Sequence, residues 1–136
     1  MTRSANDPRP VSPATLATIR LAILLGALAF GGVARYLVRQ PDWTPSAGLD
    51  HTVFLYAGLG IWSVAAVGIL LLRSRLGREP DPRRRVPLLV AGWALGETAA
   101  LWGGVYYLLT GDPQRYFTGL LFLGVAFLLL PVRGER

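Results

Sequence analysis

The chain has 136 residues, of which 52% are hydrophobic, and it carries a formal charge of +6 with a pI near 10.8. That length holds one domain. The absence of cysteine excludes disulfides, thiolate metal sites and cysteine nucleophiles, and a single histidine, His51, excludes a bis-histidine haem site within the chain. All fourteen basic residues are arginine, set mostly between long apolar runs. The charge therefore points to membrane orientation and anionic headgroups, not to nucleic acid.

Residues 1–14 are polar and contain Pro8, Pro10 and Pro13, which reads as a disordered cytoplasmic tail. Four apolar runs follow, at about 16–37, 52–72, 86–109 and 116–131, within a membrane domain of residues 15–132, and residues 133–136 form a second short tail. A helix crossing the hydrocarbon core needs roughly 20 residues. The first three runs meet that length and the fourth is short. The expected fold class is all-α, a four-helix transmembrane bundle. Continuous runs without period-2 alternation argue against a barrel. The prolines support these limits: Pro41, Pro45, Pro80, Pro82 and Pro113 fall in connections, Pro87 in the first turn of the third span and Pro131 at the close of the fourth. Arg20 followed by Leu21–Phe30 and Ala27-Leu28-Ala29 also has the form of a signal peptide, but the long preceding tail and a run continuing to Leu37 favour a retained span.

Arginine placement gives the direction of the spans. Eleven lie in the N-terminal segment, the second connection and the C-terminus, whereas only Arg35, Arg39 and Arg115 lie on the other side. The positive-inside rule then puts both termini in the cytoplasm, in a bacterial inner membrane. Tyr36, Tyr56, Tyr106, Tyr107 and Tyr116, near the opposite ends of the spans, read with Trp43 as an interfacial belt. The second connection, RSRLGREPDPRRR, reads as a cytoplasmic loop in which Arg83, Arg84 and Arg85 contact lipid headgroups or an acidic partner, or serve only to set topology.

An offset of 72 residues aligns Ala29-Phe30-Gly31-Gly32-Val33 with Leu101-Trp102-Gly103-Gly104-Val105, and also Ala27 with Ala99, Leu37 with Leu109 and Pro41 with Pro113. Two repeated helical hairpins account for this, and so does coincidence between Gly- and Ala-rich apolar segments.

Glu97 is the residue that demands an explanation. It stands at the midpoint of the third run, where a charged side chain costs about 2.5–3.5 kcal/mol on insertion scales. The expected relief is a retained proton and a hydrogen bond to a backbone carbonyl, Ser63 or a tryptophan N–H. Gly92, Gly96, Ala100 and Gly104 recur every four residues around it, a small-residue pattern that admits another helix backbone. The first span offers Gly26 and Gly31 as complements, together with Ala22, Ala27 and Gly32, and the second offers Gly60 and Gly68. Trp93, one turn before Glu97, is placed to shield it from lipid.

No catalytic constellation, phosphate loop or cofactor motif is present, so an enzyme is not expected and no cofactor is assigned. His51 with Asp42, Asp50 and Asp112 on the arginine-poor side could form a weak cation site, but acids are common in short loops. Trp62 reads as packing. The expected role is an accessory or structural membrane subunit that packs through the third helix, by self-association or inside a larger membrane complex. The alternative is proton or sodium handling with Glu97 as the ion-binding carboxylate.

The stretch WALGETAALWGGVYYLL, Trp93 to Leu109, resembles the carboxylate-bearing helix of the rotary ATP synthase proteolipid, subunit c, and Arg39-Gln40-Pro41 resembles that family's loop. The resemblance implies an ion-carrying role for Glu97. It covers about 20 residues, and the carboxylate here stands on the third span rather than the second of a hairpin. Over Val86 to Arg133 the chain is similar to small four-span bacterial membrane proteins of uncharacterised function, through the core Ala94-Leu95-Gly96-Glu97, the turn Leu109-Thr110-Gly111 and a final span ending in proline and a basic residue. That similarity implies a fold and not an activity.

Overall fold

A computed structural model of the chain describes residues 11–132 apart from 47 and 49. Residues 1–10 of the tail expected at 1–14, and the tail at 133–136, lie outside the described residues. The described residues form four helices and no strand: α1 (Pro13–Val38), α2 (His51–Arg78), α3 (Pro82–Thr110) and α4 (Gln114–Leu129). The first three are long and apolar enough to cross a membrane. With 16 residues, α4 is about 24 Å long and falls short of that length.

Each long helix starts where an oxygen-bearing side chain can take up orphan N–H groups. Ser12 Oγ accepts from Thr15 N at 3.1 Å, which starts α1 at Pro13, inside the stretch read as tail. Asp50 Oδ1 accepts from Thr52 N at 2.9 Å and Val53 N at 3.3 Å, and Asp81 Oδ1 from Arg83 N at 2.9 Å, with Pro82 at the first helical position. Gly111 ends α3 in the left-handed region, φ 77°, with its N–H donated to Tyr107 O at 2.8 Å.

The second connection differs from expectation. Of the segment read as a loop at 73–85, only Glu79, Pro80 and Asp81 are non-helical. Arginines do not break a helix, and Arg75 and Arg78 in the last turn of α2 complement its dipole. As α3 begins at Pro82, Pro87 lies inside the helix, not in its first turn, and removes one hydrogen bond of the ladder.

Helix α3 is the hub. It packs on α4 most extensively and on α1 and α2 on either side, and α4 touches α1 and α2 lightly. No Cα atom of α1 lies within 8 Å of one in α2. Of the two suggested hairpins, α1–α2 and α3–α4, only the second is packed, so the two halves of the suggested repeat differ. The outward surface is apolar: Leu128, Leu121 and Val64 are 77%, 68% and 66% exposed. Lipid offers little drive for apolar faces to associate, so close approach must come from small residues. At Gly119 an added Cβ would lie 2.6 Å from Ala100 Cα and against Ala99 O. On the other strand of the hairpin, a Cβ at Gly103 would lie 2.8 Å from the carbonyl carbon of Arg115. Backbone meets backbone at both points.

Replacing Gly119 by Ala must therefore separate α3 from α4. A loss of about 1–3 kcal/mol is expected in detergent unfolding titrations. Gly124, which has open space where a Cβ would stand, provides the control, and Gly124→Ala should stay within about 0.5 kcal/mol of the native chain.

Candidate functional site

All six residues named as packing positions meet another element. Gly92 faces Leu130, the residue that caps α4, and, at 3.6 Å from an ideal Cβ, Leu72 of α2. Gly96 faces Ala126 and the Leu123 backbone, Ala100 lies under Gly119, and Gly104 faces the Phe30 ring of α1. Gly31 accommodates the Tyr116 ring, and Gly26 lies beside Glu97, its ideal Cβ 3.8 Å from Oε1. The stripe does not serve one partner, however. Four residues advance a helix by about 400°, so each step turns the stripe by about 40°. It begins at Gly92 facing α4 and ends at Gly104 facing α1. The expected complement was α1 or α2. The main one is α4, through Gly119 and Ala126, which had not been singled out.

Glu97 is half-buried, on the side of α3 that faces α1. The hydrogen bonds expected for it are made elsewhere or not at all. Trp93 Nε1 donates to Leu130 O at 3.1 Å and Trp62 Nε1 to Ala99 O at 3.4 Å, while Ser63 is exposed. Trp93 is fully buried against α4, edge-on to Phe127 at 6.1 Å, so it shields the α3–α4 seam rather than the carboxyl. Between α1 and α2 the face of α3 carrying Ala91, Ala94 and Thr98 is exposed. Glu97 stands at its α1 edge. Next to Thr98 this face continues into a groove of about 380 Å³ lined on the α2 side by Ala57, Gly60 and Val64.

The tyrosine belt needs correction. Tyr36 and Tyr56 are 67% and 68% exposed, but Tyr107 and Tyr116 are buried at 9% and 7%. Tyr116 Oη donates to Ala27 O at 2.9 Å, tying α4 to α1. The carbonyl is reachable because Gly31, one turn on, has no side chain to block the ring.

A second charged group lies deeper than its sequence position suggested. Arg115 was counted with a loop, but its backbone is level with Gly103, seven residues before the end of α3 and so about 10 Å inside it. Its guanidinium carbon lies 5.8 Å from the ring centroids of Trp62 and of Tyr106. At the other end, Arg20 lies 4.8 Å from the Phe127 ring centroid. The Arg83–Arg85 cluster is at the α3 N-terminus: Arg84 Nε lies 3.8 Å from Asp81 Oδ2, with both side chains well exposed, and Arg85 Nη1 donates to Glu79 O at 3.3 Å. Among the described residues no group of three His, Asp or Glu could hold a metal, and Asp50 is engaged as a helix cap.

No family model, curated protein or solved structure matches the chain.

The Tyr116 bond generates a paired expectation. Tyr116→Phe removes one interhelical hydrogen bond and should lower stability by about 0.5–1.5 kcal/mol. Gly31→Ala forces the whole ring to move and should cost more, about 1–3 kcal/mol, in the same thermal or denaturant assay.

Proposed function

We propose that the chain crosses a bacterial inner membrane four times with both termini cytoplasmic, and that it is a non-catalytic accessory subunit assembling through α3. The observation that carries this reading is the uncovered face of α3. Helices α1 and α2 flank it with no Cα of one within 8 Å of the other, and its floor is Ala91, Ala94 and Thr98. Small residues on a lipid-exposed face give an incoming helix close van der Waals contact, the chief source of association in a bilayer. Glu97 at the edge of this face offers that helix a polar group for an interhelical hydrogen bond. The ion-handling reading would have Glu97 bind a proton or sodium from the same position. Sodium would require further oxygen ligands, and Gly26, whose ideal Cβ position lies 3.8 Å from Glu97 Oε1, has no side chain to supply one.

A short α4 is compatible with four crossings. The segment 111–113 descends beside α3 before α4 begins, and a short span is accommodated by local bilayer thinning. The exposed arginines at the α2–α3 turn support its cytoplasmic placement.

The chain has no cysteine, so a single one can be introduced cleanly. Thr98→Cys carrying a benzophenone maleimide should give a discrete adduct in native membranes, while Leu128→Cys, on the far side of α4, should not. Equal labelling at the two positions would remove the assembly reading. Glu97→Gln should leave the adduct in place without altering vesicle ion fluxes; a proton or sodium flux that disappears in this variant would replace assembly by ion handling. For topology, a reporter inserted at Glu79–Asp81 should show cytoplasmic activity only, and an external signal would invert the orientation.

A further inference from the structure

The Arg115 guanidinium sits well inside the helical domain, and a guanidinium does not give up its proton in proteins. Its surroundings are aromatic. Trp62 and Tyr106 present their rings to it, and Phe54 stacks on Trp102 at 5.4 Å to complete the wall of a crevice between α2, α3 and the start of α4. Rings stabilise the charge but accept few of its hydrogen bonds. Among the described residues Arg115 has these ring contacts and neither a hydrogen bond nor an ion pair. Asp112, three residues earlier, turns its Oδ1 to Gln114 N instead. Trp62 is buried, but Phe54, Trp102, Tyr106 and Arg115 are only half-buried, so the crevice opens to the flank of the protein.

We infer that this crevice binds the phosphodiester of a membrane phospholipid, with Arg115 donating to its non-bridging oxygens. Three features select this ligand. The guanidinium fork matches the geometry of a phosphate and makes charge-assisted bonds to it. The remaining walls are apolar and aromatic, suited to the glycerol and upper acyl segments. The open crevice holds about 10 Å³, room for one projecting headgroup oxygen beside the guanidinium and not for a buried solute. Placement selects in the same direction: with its backbone about 10 Å below the tip of α3, Arg115 lies half-buried on a flank that lipid can reach sideways. The inference rests on membrane placement of the helices and is independent of assembly through α3.

The experiment uses the full chain in dodecyl maltoside, with dioleoyl phosphatidylglycerol titrated and bound lipid counted by native mass spectrometry. The native protein should retain discrete phospholipid adducts. Arg115→Gln should bind at least about tenfold more weakly, the loss expected from charge-assisted hydrogen bonds, and Arg115→Lys should recover part of it. Dioleoylglycerol, which lacks the phosphate, should not bind the native protein at the same concentrations. Should Arg115→Gln fail to fold by circular dichroism, that comparison of two lipids on the native chain decides alone. Equal binding by Arg115→Gln, or equal binding of the two lipids, overturns the inference. Displacement of the phospholipid by millimolar inorganic phosphate would assign the crevice to a soluble anion instead. A smaller oligomer for Arg115→Gln in lipid-free micelles would assign it to a partner's carboxylate.

Discussion

At Gly103 and Gly119 the α3 and α4 backbones come into contact, with no room for a methyl group at either position. Much of the rest follows from that contact. With α4 drawn against α3, Trp93 can reach Leu130 O and Tyr116 can reach α1. The contact also places the start of α4 well below the end of α3, carrying Arg115 inward. In water such a seam could be stabilised by burying large apolar side chains. In lipid that drive is weak, and small residues with interhelical hydrogen bonds take its place. The hydrogen bonds from Trp62 and Tyr116 end on a backbone carbonyl of another helix and that from Trp93 on Leu130 O, just past the end of α4, so they staple helices pairwise without a buried polar network.

The number and type of helices were legible in the sequence because a long apolar run admits few other structures, and the caps at Ser12, Asp50, Asp81 and Gly111 carry local signals that do not depend on tertiary context. Helix rotation and axial offset were not legible. The Gly92–Gly104 stripe announced close packing but not which neighbour it would meet, since a four-residue repeat winds around the helix. The arginine-rich segment read as a loop because polarity marks the membrane boundary, not the end of a helix; Pro80 and Asp81 held the true signal. Tyr107 and Tyr116 fitted an interfacial belt by chain position, but hydropathy cannot tell a tyrosine facing a neighbouring helix from one facing headgroups.

The depth of Arg115 was hidden for a related reason. Three non-helical residues, Gly111 to Pro113, follow α3, and Arg115, the second residue of α4, is already level with Gly103. A short connection can therefore carry the chain about 10 Å back along α3. Counting residues from the end of an apolar run treats the loop as a flat cap and leaves Arg115 at the surface. Gly103 carried the missing signal, because a glycine at that point of α3 leaves room for a returning backbone.

Glu97 and Arg115 could be taken for a natural ion pair, but α3 stands between them. Glu97 lies on the α1 side beside Gly26, and Arg115 on the α2 side against Trp62. Each must meet the cost of a low-dielectric setting separately, and their chemistry gives them different means. A carboxyl can shed its charge by holding a proton, and it is then an ordinary hydrogen-bond donor at a helix surface. A guanidinium has no such option and needs ring faces or an anion. The surroundings match the distinction. Glu97 stands beside Gly26, whereas Arg115 has two rings at 5.8 Å and Phe54 and Trp102 lining the same crevice. The two sides of α3 thus present two kinds of contact: one that a helix can cover, and one that calls for a charge brought from outside the chain.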